Sequence, residues 1–272
     1  MGRSQGPTSE GYEPFYRGFD SPLMRQIRRE AYGEDIGQHS WVSADELRTD
    51  IHRLRLTASN QLLDLGCGPC GPLTFVLKTV GCRGTGIDVS PSALRVGRER
   101  ADELGVGGRF AVREGDLNMP LPFESGSFDA VMSIDVALHL RDRSKVFREV
   151  ARVLSQGGRF LFTDAGVVTG AVTNEELQKR TVHGYAQFVP PGWNENLLES
   201  TGFRLIETEN RTESISRNAS GRLRAMEAHR EELEGSAEGR ELLAQKDYLE
   251  VAIAMARRRA MSRMMYLAEV IG

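Results

Sequence analysis

Three carboxylates set behind tight turns, and one histidine beyond them, define the chemistry open to this chain. Asp64 follows the apolar pair Leu62 and Leu63, and Gly66 and Gly68 come soon after. That order reads as a parallel strand turning sharply into a helix, with bare backbone at the turn for a ligand to approach. Asp88 closes Gly86-Ile87-Asp88 and precedes Val89. An acidic residue at such a strand end accepts hydrogen bonds from both hydroxyls of a ribose. Asp116, in Gly115-Asp116-Leu117, sets a carboxylate among backbone amides, a set that suits the exocyclic amine and ring nitrogens of adenine. Further on, Ser133-Ile134-Asp135 leads to His139. Imidazole, with an unperturbed pKa of about 6.5, is suited to moving a proton near neutrality.

The glycine turn carries a competing pattern. Cys67-Gly68-Pro69-Cys70 is a C-x-x-C, the spacing of a thioredoxin-type redox pair. Such a pair opens a helix in a fold of different strand order. Here it lies in a turn followed by Asp88 and Asp116, which favours a nucleoside site. Zinc is not expected, because Cys82 lies far on and no Cys/His pair completes a ligand set.

Alternating elements must position these groups. Residues 1–11 read as a disordered leader. Residues 12–57 read as a helical N-terminal lid. Ser21-Pro22 starts its first helix, and Ser43-Ala44-Asp45-Glu46 fits a capping box at the start of its second. A core over 58–272 then alternates strand and helix, with strands expected at 61–65, 84–89, 109–114, 128–134 and 159–163. Helices are expected near 72–80, from Ser90-Pro91 to Gly105, at 143–154 and at 192–201. Strands at 203–209 and 262–270 complete a seven-stranded, doubly wound, mostly parallel α/β sheet. Helical inserts are expected at about 165–190 and 210–259, the second lying over the carboxyl edge of the sheet between two paired strands.

Ser125-Gly126-Ser127-Phe128-Asp129-Ala130-Val131 leads into the fourth strand, so four motifs stand in order. From about Leu62 to Thr163 the sequence resembles the class I S-adenosylmethionine-dependent methyltransferases of small molecules. The resemblance implies a Rossmann-like methyltransferase fold and S-adenosylmethionine as cofactor, with S-adenosylhomocysteine as product. It implies that Asp64 holds the cofactor ammonium, directly or through water. Gly66, Cys67 and Gly68 then border its carboxylate and sulfonium, and Asp88, Val89, Asp116, Leu117 and Ser133 complete the seat. The family's G-x-G-x-G departs here: Cys70 stands for the third glycine, and Gly71 comes one place late.

The Ser-x-Asp-x-x-x-His pattern of Ser133 to His139 more weakly resembles phosphobase and glycine-betaine-forming N-methyltransferases. That resemblance implies that Asp135 approaches an amine and that His139 positions or deprotonates it. The alternatives for His139 are capping the next helix or packing on the adenosine. Tyr32 to Trp41 resembles the lid segment of these enzymes, which brings Gln38 and Trp41 to the cofactor, although the segment lacks the two-glycine ending of the phosphobase pattern. Phe15, Tyr16 and Phe19 are candidates for an aromatic cage around a cation, and Tyr185, Phe188 and Trp193 for a wall of the substrate pocket. Core packing is the competing reading for both groups.

The expected reaction is methyl transfer to a small molecule, an amine nitrogen first. O- or C-methylation of a secondary metabolite, or cofactor binding without catalysis, stand as alternatives. A net charge of -3 offers no broad basic surface for nucleic acid. No apolar run reaches the ~18 residues of a membrane span. Three cysteines make no disulfide framework, so a cytoplasmic protein is expected. The sequence leaves the oligomeric state open.

Overall fold

A computed structural model of the chain describes residues 16, 18–181 and 184–271. The expected leader, and Phe15 of the expected cage, lie outside the described residues. Seven strands form one sheet: β1 (Gln61–Leu65), β2 (Arg83–Asp88), β3 (Phe110–Glu114), β4 (Phe128–Ser133), β5 (Leu154–Val168), β6 (Phe203–Asn210) and β7 (Met261–Val270). Their order is β3-β2-β1-β4-β5-β7-β6, with only β7 antiparallel to its neighbours. The strand order reverses beside β1, between β1 and β4, where open α/β sheets bind ligands outside their carboxyl ends.

Among the described residues, helices α1 (Pro22–Tyr32) and α2 (Ala44–Leu54) precede the sheet. Three lie between its parallel strands, α3 (Gly71–Val80), α4 (Pro91–Glu103) and α5 (Arg143–Val153). α6 (Asn174–Arg180) and α7 (Trp193–Ser200) lie between β5 and β6. α8 (Thr212–Ala228), α9 (Arg230–Glu234), α10 (Ala237–Leu243) and α11 (Lys246–Arg257) lie between β6 and β7.

Period-2 alternation divides the apolar residues between two faces. Leu62, Met132 and Leu161 join α2, α3 and α4 in one core, while Leu63, Val131, Phe160 and Phe162 join α5 and α7 in the other. A third core lies among α1, α8 and α11, from Ile27, Trp41, Ile215, Ala219, Leu249 and Ala256. Leu242 of α10 and Leu249, Ile253 and Ala256 of α11 face it.

Two local expectations change. β5 runs well beyond 159–163 at both ends. β7 supplies antiparallel partners as far as Val168↔Met261, past a bulge after Asp164, and the neighbour across the sheet thereby prolongs the strand. At α2 only half of the capping box forms. The Ser43 hydroxyl accepts from the Glu46 N–H at 3.2 Å. The Glu46 carboxylate instead accepts from Arg263 at 2.7 Å, because a buried guanidinium outcompetes a backbone amide. A complete box caps α6, from Thr173 and Glu176.

Candidate active site

The glycine turn lies at the carboxyl end of β1. The N–H groups of Gly66 and Cys67 both donate to the Ile87 carbonyl, at 2.8 and 3.2 Å, which binds the turn to the end of β2. Gly66 has φ +69°, and a Cβ there would meet Val136 at 2.6 Å. The late glycine also has a reason. A side chain on Gly71 would run into the carbonyls of Ile36 and Gly37, so the N-terminal segment packs directly on this turn. Cys70 has φ 57°, the left-handed conformation that favours glycine. It stands in the family's glycine position with a glycine's backbone.

Three carboxylates face one cavity of about 390 Å³. Asp64 is buried, and no hydrogen-bond donor among the described residues reaches it. Burial and the nearby Asp88 charge push its pKa up to about 8. Asp88 accepts from Gly68 N–H at 2.8 Å with one oxygen and from Ser90 N–H at 2.9 Å with the other. Each oxygen keeps a lone pair for a diol. Burial raises its pKa as well, against the backbone hydrogen bonds from Ser90, Gly68 and Val89. Asp116, at the exposed end, has one oxygen on the Asn118 N–H at 2.9 Å. Gly66, Cys67, Gly68, Val89 and Leu117 complete this half of the wall.

The other half holds His139, at the end of the short turn Ala137–His139, together with Trp41, Leu138 and Ala165. Tyr248 of α11 stacks on Trp41 with ring centroids 5.9 Å apart. Arg180, Arg222, Glu241 and Gln245 also stand in this wall. The wall is therefore aromatic and carries two arginines.

Asp135 borders the cavity, but its carboxylate is heavily engaged. Oδ1 accepts from Arg263 Nε at 2.8 Å and from the Thr163 hydroxyl at 2.7 Å. Oδ2 accepts from the Trp41 N–H at 3.0 Å. Its φ of 58° is unusual for a residue other than glycine.

Six residues expected at the site stand away from the cavity wall, among them Phe188, which packs against Met255 and Met261. Gln38 closes its own loop, accepting from the Ile36 N–H at 2.9 Å and donating to the Glu34 carbonyl at 3.2 Å. Ser133 donates to the Leu65 carbonyl at 3.0 Å and ties β4 to β1. Phe19 sits behind Tyr16, with the Arg28 guanidinium already over its ring at 4.3 Å. Trp193 packs in the core under Arg143, and Tyr185 is half-buried elsewhere. Tyr16 does border the cavity, beside Gly68. The arginines and Tyr248 were not legible in advance. They lie on insert helices whose rotation toward the sheet has no signature in local spacing.

The redox pattern is closed off. The Cys67 and Cys70 sulfurs lie 3.5 Å apart, all three cysteines are unpaired and buried, and burial pushes the Cys67 thiol well above its usual range. A reactive cysteine needs thiolate character, which burial withholds from this one.

Residues 63–162 match the methyltransferase domain family. Methyltransferase GfsG of Streptomyces halstedii is 33% identical over 161 residues, which are 57% of this chain and 56% of that protein. The chain thus spans little more than half the length of that relative. The sarcosine/dimethylglycine N-methyltransferase of Halorhodospira halochloris is 27% identical over 205 residues, 71% of this chain and 70% of that one. Among solved structures, the [4+2]-cyclase SpnF superposes with a TM-score of 0.75 over 100% of both chains at 21% identity, a likeness of fold alone. Residues 63–162 match a methyltransferase domain and lie on the sheet order described above.

Proposed function

We propose that this protein transfers a methyl group from S-adenosylmethionine to an amine nitrogen of a small acceptor. The observation that carries this reading is the single cavity, with Asp64, Asp88 and Asp116 at one end and His139 at the other. The residues fit the cofactor, because Asp64 is a buried carboxyl lacking a donor, beside backbone with no side chain at Gly66 and Gly68. Asp64 would take the ammonium, Asp88 the ribose hydroxyls and Asp116 the adenine amine. When bound, the cofactor supplies an activated methyl group on a sulfonium. The chain's task is then to orient the acceptor, exclude water and remove a proton.

In this reading His139 takes that proton. Asp135 is read as a positioning residue. Its bonds to Arg263, Thr163 and the Trp41 N–H hold the wall around His139 in place. Tyr248 and Gln245 of the helical insert, with Trp41 of the N-terminal segment, cover the cavity. Nitrogen as the acceptor atom draws support from relatives named as sarcosine/dimethylglycine N-methyltransferases. Three unpaired cysteines suit a reducing, cytoplasmic setting.

Calorimetry with S-adenosylhomocysteine followed by methyl-transfer assays on amines and phenols tests the reading. Cofactor binding with N-methylated product is the expected result. Binding with turnover of phenols alone, or of no acceptor, overturns it.

A further inference from the structure

Arg143, Arg180 and Arg263 are among the largest wholly buried side chains of the described residues. Each places a charge where solvation is poor, and such a charge needs a partner. Arg143 has the Asp164 carboxylate at 2.6 Å and the Asn194 side-chain oxygen at 2.9 Å. Arg263 has Asp135 at 2.8 Å and Glu46 at 2.7 Å. Arg180 has no carboxylate among the described residues. Its Nη2 donates to the Ala165 carbonyl at 3.2 Å, and its Nη1 is buried without a hydrogen-bond partner. Buried nitrogens of Arg143 and Arg263 also lack partners, so the missing carboxylate is what separates Arg180 from them.

Arg180 also has a defined setting. Its guanidinium lies 4.7 Å from the Tyr248 ring centroid and 5.9 Å from that of Trp41. Both rings and Ala165 stand with it in the wall of the cavity that holds His139. Aromatic faces steady a guanidinium while leaving its N–H edge free for an anion.

We infer that Arg180 is the seat of a carboxylate carried by the methyl acceptor. This rests on the acceptor occupying the His139 half of the cavity, as proposed above. The charge count favours a monoanion. Arg222, the other arginine in the wall, is held by the Gln245 side chain, and Glu241 stands in the same wall. Arg222 also has no carboxylate in ion-pair contact among the described residues, so Glu241 offsets one of two positive charges in this wall, and Arg180 is the guanidinium with an unpartnered buried nitrogen. It matches one carboxylate in charge and in planar, two-pronged geometry, whereas a phosphate dianion calls for a second cation. The acceptor thus carries a carboxylate besides the nitrogen that is methylated, and Arg180 selects for it.

The test uses the full-length protein saturated with S-adenosylhomocysteine. Calorimetry compares N-methyl amino acids with their carboxamides, their decarboxylated amines and phosphoethanolamine. At least one acid is expected to bind tenfold or more tighter than its own carboxamide. Arg180→Met should abolish that preference while leaving S-adenosylhomocysteine affinity unchanged, and Arg180→Lys should restore part of it. In turnover the loss should fall on KM more than on kcat. A folding readout separates this from a structural role. Without ligand, Arg180→Met should hold or raise the melting temperature, whereas Arg143→Met, which strands Asp164, should lower it. The inference is overturned if no acid binds, if acid and carboxamide bind alike, if phosphoethanolamine binds tightest, or if Arg180→Met keeps the preference. Carboxylate-dependent binding without N-methylation would overturn the nitrogen reading and leave Arg180 in place. Turnover of uncharged amines unaffected by Arg180→Met would do the reverse.

Discussion

Arg263 Nε lies 2.8 Å from Asp135 Oδ1, which joins the start of β7 to the end of β4 across a separation of 128 residues. Both side chains are almost wholly shielded, at 0% and 7% exposure. Removing one partner leaves the other buried and charged, at a cost of about 3–5 kcal/mol. Arg263→Met and Asp135→Ala should each lower the denaturation midpoint accordingly. Arg263→Met also takes the 2.7 Å partner from Glu46 and leaves it only Arg211 at 3.8 Å, so it should be the more damaging. The double variant should cost less than the sum of the two, and additive losses in denaturant titrations would dissolve the coupling.

With Asp64 holding the cofactor ammonium as proposed, cofactor binding should depend on pH. The folded Asp64 pKa of about 8 lies above the ~3.9 of an unfolded aspartate. Between those values the folded state keeps a proton that the unfolded chain has lost. The stability of the cofactor-free protein should therefore fall as pH rises from about 4 to about 8, with a slope approaching 1.4 kcal/mol per unit from this group. The difference from Asp64→Asn isolates it. An ammonium ligand favours the ionised carboxylate, so cofactor affinity should rise with pH and level off above about 8. Calorimetry at pH 7 in buffers of different ionisation enthalpy should then show nearly one proton released on binding, and none with Asp64→Asn.

His139→Ala should lower kcat by about 10²–10⁴-fold if the imidazole takes the acceptor's proton. S-adenosylhomocysteine affinity should change little, because the carboxylate floor of the cavity is untouched. A rate within threefold of the parent would remove the base role and leave His139 as wall.

Cys70 and Gly97 form a coupled pair. A Cβ on Gly97 would stand 2.6 Å from the Cys70 sulfur. Gly97→Ala should therefore cost about 1–3 kcal/mol through overpacking. In a Cys70→Gly background that obstacle is gone, and the same change should be neutral or should gain up to about 1 kcal/mol of helix propensity. Cys70→Gly alone trades relief of the left-handed φ of 57° against a small void, so its net effect should be slight. The double change Cys67→Ser with Cys70→Ser should keep cofactor binding, which calorimetry checks directly.

Local pattern determined a large part of this protein. The switch from period 2 to helical spacing locates β1 to β4 within a residue or so, and Asp64, Asp88 and Asp116 each stand at or just past a strand end. Strand, turn and carboxylate lie within a few residues of one another, so chain geometry alone brings Asp64, Asp88 and Asp116 to one edge. Tertiary contact decided the rest. Gln38 and Ser133 spend their side chains on nearby backbone, and Phe19 and Trp193 are covered by arginines. Asp135 is drawn to Arg263, far along the chain. Arg180 is the last residue of a short helix, and nothing in its neighbourhood of sequence distinguishes it from a solvated helix end. Only the packing of α6 and α11 around Trp41 buries it without a carboxylate. Which cofactor the chain binds follows from short-range spacing. Which acceptor it takes depends on how separate helices rotate and pack over the sheet, and that is set by long-range contact.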